Sequence, residues 1–437
     1  MRINSFKTKS MSYSEPQSRP SEISVPVTTQ RRSAGDMFSF VQKLLQAPTS
    51  AKAEYQLLET LKSCSPARLN DILINSDLSR LFQAVDDRLI GPNYRTRLFE
   101  IISCDRIDRL TVAAKAAVIN ALQVGVTCRA EEWVLSHLFC ATRGADLTAL
   151  KNLIDTGDNY RDLAQLIYHD IDDDFIRQRI LGHMAFEGTR LRETKGYVPQ
   201  LKVLSDIDDT VLSMLYDVKL AKRTVYPGVK AFADALDAGL AEAPDRMGDK
   251  TFVSARPGIL ETGSLKTLHE VGFAGVTVQT GDVWSLRSKE AMGEKKVENF
   301  ALLKGLYPEY NFVFTGDSGQ GDVLFARAMR RDFADIVPAT FIHDVWLKDG
   351  PKTKPAEREE MAGVGVFFFD TYLGAITEAF IQGLLTPERA VRAVQQTMAD
   401  FSELSMAAFG SEQSQKAYGK RLARDLAAFK ELLPESL

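Results

Sequence analysis

The chain has 437 residues, 45% of them hydrophobic and 26% charged, with a formal net charge of −4 at pH 7. That is the composition of an ordinary globular protein with room for about three domains of about 100 to 200 residues each. The slight acidic excess excludes a general nucleic-acid binder, which carries a strong basic surplus.

Residues 1–35 are rich in Ser, Thr, Pro and Gln, with almost no large apolar side chains, which predicts a disordered tail. The first ten residues lack an apolar run that could serve as a signal-peptide core, so a cytoplasmic location is expected. From Asp36 the pattern turns helical: Met37, Phe38, Val41, Leu44 and Leu45 share a face, and Ser65-Pro66 opens a helix carrying Leu69, Ile72 and Leu73. An all-α domain is predicted over 36–196. Leu69 to Ile90 and Leu150 to Asp172 loosely echo each other, distantly like annexin repeats but without the Gly-x-Gly-Thr calcium loop. Cys64, Cys104, Cys128 and Cys140 show no C-x-x-C spacing, so buried free thiols are expected rather than a zinc ribbon or redox pair. His169 to Asp174 invites a metal reading, but Asp172 to Asp174 fit better as the acidic start of a helix through Ile176, Ile180 and Met184.

Strand and helix patterns alternate from Tyr197 onward, with strands expected near 201–206, 250–254, 275–279, 311–315 and 338–343. The first strand ends in Asp206-Ile207-Asp208-Asp209-Thr210. Two carboxylates two residues apart repel each other unless a cation lies between them, so Asp206 and Asp208 suggest a hard-metal site with Mg²⁺ as first choice; an acidic helix cap is the alternative. Ser254 ends the second strand, and the fourth runs into Gly316-Asp317-Ser318-Gly319-Gln320-Gly321-Asp322. Lys296 lies near the start of a helical pattern with Phe300, Leu303 and Leu306 on one face, and Lys295 is its rival. Beyond these, Asp349 to Pro355 reads as a linker and Thr386-Pro387 as a helix start. Val364 to Leu385, interrupted by Asp370, Glu378, Gly374 and Gly383, reads as a buried helical region rather than a membrane span. Residues 351–437 are therefore assigned to a linker and a C-terminal helical region.

Carboxylate pair, hydroxyl, lysine and Gly-Asp, in this order, resemble the haloacid dehalogenase superfamily of phosphohydrolases. The closest resemblance is to its actin-patch-associated, lipin-like phosphatidate phosphatases. Ser205 to Val211, Tyr226-Pro227-Gly228, Val253-Ser254 with Pro257, Lys296 and Phe312 to Asp322 carry the likeness over about 150 residues. Arg256, Gly258 and His343 depart from the family pattern, His343 standing where an arginine is expected. The resemblance implies an α/β fold: a Rossmannoid parallel sheet at 197–350 without a large cap, flanked by the all-α domain and the C-terminal helical segment. Only about forty residues separate Ser254 from Lys296, too few for a separate cap, so an open site is expected.

It also implies a Mg²⁺-dependent phosphatidate phosphatase. Asp206 would be the nucleophile and Asp208 the general acid and base, with Ser254 and Lys296 on the phosphoryl group. The metal would be held by Asp206, the carbonyl of Asp208 and Asp317, with Asp322 as a further ligand or as a partner of the ligands. Thr210 is expected to fix the turn, and Asp209 to face solvent or cap the following helix. Lys219, Lys222 and Arg223 are candidates for peripheral contact with an anionic membrane, or else an ordinary solvated face. A soluble phosphomonoester as substrate and a non-catalytic phosphatidate sensor are the alternatives; the presence of both Asp206 and Asp208 weighs against the sensor.

Overall fold

The computed structural model describes residues 50–85, 93–123, 127–155, 163–241, 250–257, 261–273, 276–281, 289–319, 321–347 and 350–434, except the side chains of 254–257, 261–265, 277–281 and 289–292. The expected tail 1–35 and the pattern at Met37 to Leu45 lie outside these residues, as do parts of both annexin-like stretches.

Six parallel strands form one sheet, in the spatial order Thr277–Gly281 (β3), Lys250–Pro257 (β2), Leu201–Ser205 (β1), Asn311–Asp317 (β4), Ala339–His343 (β5) and Val366–Phe369 (β8). Trp346–Leu347 (β6) and Gly350–Pro351 (β7) make a separate antiparallel pair. Apolar side chains alternate between the two faces. Leu204, Phe312, Phe314 and Ile342 join the core that continues into the N-terminal helices, and Leu201, Val203, Val313 and Phe341 join the core under the C-terminal helices.

Helical starts follow their caps. Ser50, Ser65, Asp77, Asn93, Thr111 and Asp173 each accept a backbone N–H from the first turn of the helix they open. Asp173 thus caps Asp174–Arg192, in line with the helix-start reading of that acidic run. All four cysteines are free, but Cys104 and Cys128 are exposed and Cys64 and Cys140 only half-buried, so the expected burial does not hold.

The C-terminal region corrects two expectations. Val364 to Leu385 is not helical throughout: Val366–Phe369 is the edge strand β8 on β5, and Thr371 then caps the helix Tyr372–Ile381. Four consecutive residues with apolar side chains pack as readily on a sheet as in a buried helix, and hydropathy does not separate the two. The sheet therefore does not close at residue 350, because its sixth strand comes from beyond it. Among the described residues no helix is long and apolar enough to cross a membrane.

The N-terminal helices are fastened to the segment that leads into β4. Lys151 Nζ meets Glu309 Oε1 at 2.7 Å and the Leu306 carbonyl at 2.8 Å, and Thr148 Oγ1 donates to the same carboxylate at 2.7 Å. Asn152 Nδ2 donates to Tyr310 Oη at 2.7 Å, Tyr307 Oη to Asp155, and Arg192 Nε to the Pro308 carbonyl at 2.7 Å. Lys202, buried in β1, places Nζ 3.8 Å from the Tyr307 ring centroid. Strands β1 and β4 are thus braced from the helical side.

Candidate functional site

In this strand order the chain runs outward from β1 in one direction to β2 and β3, and from β4 in the other. The β1/β4 boundary is therefore the switch point, where ligands of open α/β sheets gather at the strands' carboxyl ends. Asp206 leaves the end of β1, its N–H bonded to the Thr315 carbonyl at 2.9 Å, and Asp317 ends β4. Asp322 opens the helix Asp322–Asp332. These three side chains converge: their carboxylate oxygens lie within 4.8 Å of one another, and all three residues are buried.

Two glycines make this packing possible. A Cβ at Gly316 would come within 2.8 Å of the Asp322 Cβ, and one at Gly319 within 2.7 Å of Asp317 Oδ1. Any larger residue would push the carboxylates apart. The Gly319 N–H donates to Asp317 Oδ1 at 2.5 Å, and the Asp317 N–H to Asp322 Oδ2 at 3.2 Å.

Lys296, in the helix Lys289–Leu306, supplies the counter-charge. Its Nζ lies 2.9 Å from Asp206 Oδ1 and 2.5 Å from Asp322 Oδ1. Lys295, one residue away on the helix, instead pairs with Glu298 at 3.2 Å. One ammonium does not neutralise three carboxylates. Burial, reinforced by Asp322 and Asp208 and opposed by Lys296, pushes Asp206 up to about 7, and burial with the charges of Asp322, Asp206 and Asp209 raises Asp317 well above the usual carboxylate range. Burial by itself would lower the Lys296 pKa, but the charges of Asp206 and Asp322 outweigh it and raise it. Asp206 Oδ2 is buried with no hydrogen-bond partner among the described residues. An excess of buried anionic oxygen with one orphaned atom fits a metal cation, and Asp206, Asp317 and Asp322 could hold one.

Asp208 is half-buried, and its side chain is not one of the three that converge. By its backbone Ser254 lies inside β2, which runs on to Pro257 instead of ending at Ser254 as expected; its side chain is outside the described residues, as is that of Arg256, and Gly258 is undescribed altogether. Among the described residues between β2 and the Lys296 helix there is one helix, Glu261–Glu270, and β3, with no inserted domain. The triad is nonetheless buried rather than open, with Asp206, Asp317 and Asp322 at most 5% exposed.

The loop after the first carboxylate pair differs from expectation at three residues. Asp209 neither faces solvent nor caps a helix. Fully buried at φ 55°, it accepts the backbone N–H groups of Met214 (2.7 Å), Leu215 (3.0 Å) and Tyr216 (2.6 Å) on its carboxylate. Asp is among the few side chains that tolerate this left-handed conformation. Thr210 does not fix the turn by its hydroxyl, which has no partner among the described residues; its carbonyl accepts Tyr372 Oη at 2.8 Å. Lys219 is not a surface cation but is 4% exposed, with Nζ bonded to His343 Nε2 (2.7 Å), Asp344 O (2.8 Å) and Asp370 O (3.1 Å). Lys222 and Arg223 are exposed.

What sequence reasoning missed is the bond between His343 and Lys219, two residues it had singled out separately. They stand 124 residues apart, and nothing local to either signals the pairing. Burial and the neighbouring Lys219 charge push the His343 imidazole down to about 4. Comparison of the chain with family models, with curated proteins and with solved structures finds no match in any of the three.

Proposed function

We propose that the chain is a Mg²⁺-dependent phosphatidate phosphatase of the haloacid dehalogenase type, releasing diacylglycerol and inorganic phosphate. The observation that carries this reading is the buried Asp206, Asp317 and Asp322 triad with Lys296 at the switch point of a parallel sheet. The lipid substrate rests on the sequence resemblance.

In this reading the Asp206 carboxylate attacks phosphorus, the aspartyl O–P bond forms and the P–O bond to the glycerol breaks. Asp208 gives its proton to the departing alkoxide. It then takes a proton from water, which attacks phosphorus, breaks the aspartyl bond and frees phosphate. Lys296 balances charge on the phosphoryl oxygens, and Ser254 donates a hydrogen bond to them. Mg²⁺, held by Asp206, Asp317, the Asp208 carbonyl and Asp322, would supply further positive charge there.

The test is phosphate release from phosphatidate in mixed micelles, titrated with Mg²⁺, beside a panel of small phosphate esters. Mg²⁺-dependent release from phosphatidate supports the reading. Release from small esters only moves the substrate to a soluble phosphomonoester. Release from none, with phosphatidate still bound, leaves a lipid sensor.

A further inference from the structure

The loop beyond Asp209 turns an apolar face outward. Leu215, Tyr216 and Val218 are 46%, 46% and 51% exposed, and Leu347 of the β6–β7 hairpin is 42% exposed. The two segments are tied together: the Val218 N–H donates to the Trp346 carbonyl at 2.9 Å and the Trp346 N–H to Asp217 Oδ1 at 2.8 Å. The Tyr216 ring lies against Gly319, where an added Cβ would come within 2.6 Å of its Cδ2, so this face adjoins the acidic triad.

An exposed loop ordinarily leaves its backbone groups to water. Here most of them are satisfied from within. The N–H groups of Met214, Leu215 and Tyr216 end on the buried Asp209 carboxylate, and that of Val218 on Trp346. The carbonyls of Met214 and Leu215 accept Lys222 Nζ at 2.7 and 3.1 Å, and that of Asp217 accepts Ser213 Oγ at 3.3 Å. A segment with apolar side chains and a largely internally bonded backbone can leave water for the headgroup region with few polar groups stranded. A protein partner makes no such demand, because it supplies hydrogen bonds of its own. Exposed Lys222 and Arg223 follow the loop in the chain and match an anionic surface, and a tyrosine is suited to the headgroup level.

We propose that Leu215, Tyr216, Val218 and Leu347 form a membrane-docking surface that seats in the headgroup region of an anionic bilayer and brings the triad to the level of lipid phosphates. This deepens the reading of the site as a lipid phosphatase and rests on it for the substrate.

The test uses the full chain and flotation with phosphatidylcholine vesicles, with and without phosphatidylserine, which is not a substrate in the proposed reaction. Wild type should float, more strongly with phosphatidylserine, and L215D/V218D/L347D should bind at least about tenfold more weakly. The conservative L215M/V218I/L347M should float like wild type. With p-nitrophenyl phosphate in solution the aspartate variant should turn over within about twofold of wild type, which shows that its fold and chemistry are intact. If wild type does not float, or the aspartate variant floats as well as wild type, the docking surface is overturned and the patch is left to a protein partner. Flotation that depends on the patch, with no phosphate released from any ester, keeps the surface and overturns the phosphatase reading instead.

Discussion

His343 donates from Nδ1 to the Asp209 carbonyl at 2.6 Å and meets the Lys219 ammonium at Nε2 at 2.7 Å. The carbonyl requires a proton on Nδ1. Nε2 of the neutral ring is then a lone pair that accepts from the lysine, so a single tautomer ties the left-handed Asp209, the residue after the proposed acid and base, to a buried ammonium.

That tautomer predicts an acid sensitivity. His343 is neutral in the fold with a pKa of about 4 against an ordinary 6.5, so below 6.5 the unfolded chain takes up a proton that the folded chain refuses. Its contribution to stability is present above 6.5 and is lost as the pH falls toward 4, up to about 3 kcal/mol. His343→Gln can keep both hydrogen bonds without titrating. Urea denaturation between pH 7 and pH 4.5 should show a shallower loss for this variant than for wild type; equal slopes would remove His343 as the cause.

The crowded carboxylates predict opposite effects of one substitution with and without metal. Asp317 has a raised pKa, so ionising it at neutral pH costs the metal-free fold stability. Asp317→Asn should therefore melt higher than wild type in EDTA. Under Mg²⁺ at about a hundred times its dissociation constant the wild type should gain about 2.7 kcal/mol and the variant much less. Thermal melts of both proteins in both buffers decide it, and a wild type indifferent to Mg²⁺ would contradict a metal role for the triad.

Asp206 and Asp208 should fail differently. Asp206→Asn removes the attacking charge and should lower turnover of every ester at least about a thousandfold, or ~4 kcal/mol of barrier. Asp208→Asn should leave the Mg²⁺ requirement near that of wild type and lower kcat most for esters with poor alkoxide leaving groups, which need the proton. A plot of kcat against leaving-group pKa for both variants separates the roles. A strong shift in the Mg²⁺ requirement of Asp208→Asn would reverse them.

The brace between the helices and β4 predicts a large stability effect far from the chemistry. Lys151 and Glu309 are both buried, and Lys151→Met leaves the glutamate without its cation. The loss should be about 3–5 kcal/mol, while Lys151→Met with Glu309→Leu should recover most of it. Denaturant titration of the single and double variants measures both. A single variant as stable as wild type would mean that the pair contributes nothing to joining the two parts.

Short-range features were legible in the sequence. Ser65-Pro66 and Thr386-Pro387 open helices as read, the five expected strands form, and Phe300, Leu303 and Leu306 are buried together. Caps, strand runs and helical faces depend on residues within one or two turns of each other, so spacing alone records them. Asp206, Asp317 and Asp322 were legible for a related reason: each sits at a strand end or a helix start, and the parallel sheet brings such places to one edge, where Lys296 reaches them from two turns inside its helix.

What only the tertiary structure decided are pairings across long separations. Val366–Phe369 became an edge strand because β5 offered an unpaired side, which hydropathy does not record. Lys219, placed nine residues after Thr210 and reading as a surface cation, is buried because His343, Asp344 and Asp370 supply acceptors from the far side of the fold. Asp209 likewise turns inward because the loop folds back and presents three N–H groups to it. A charged residue goes inside only where partners converge on it, and that convergence exists only in three dimensions.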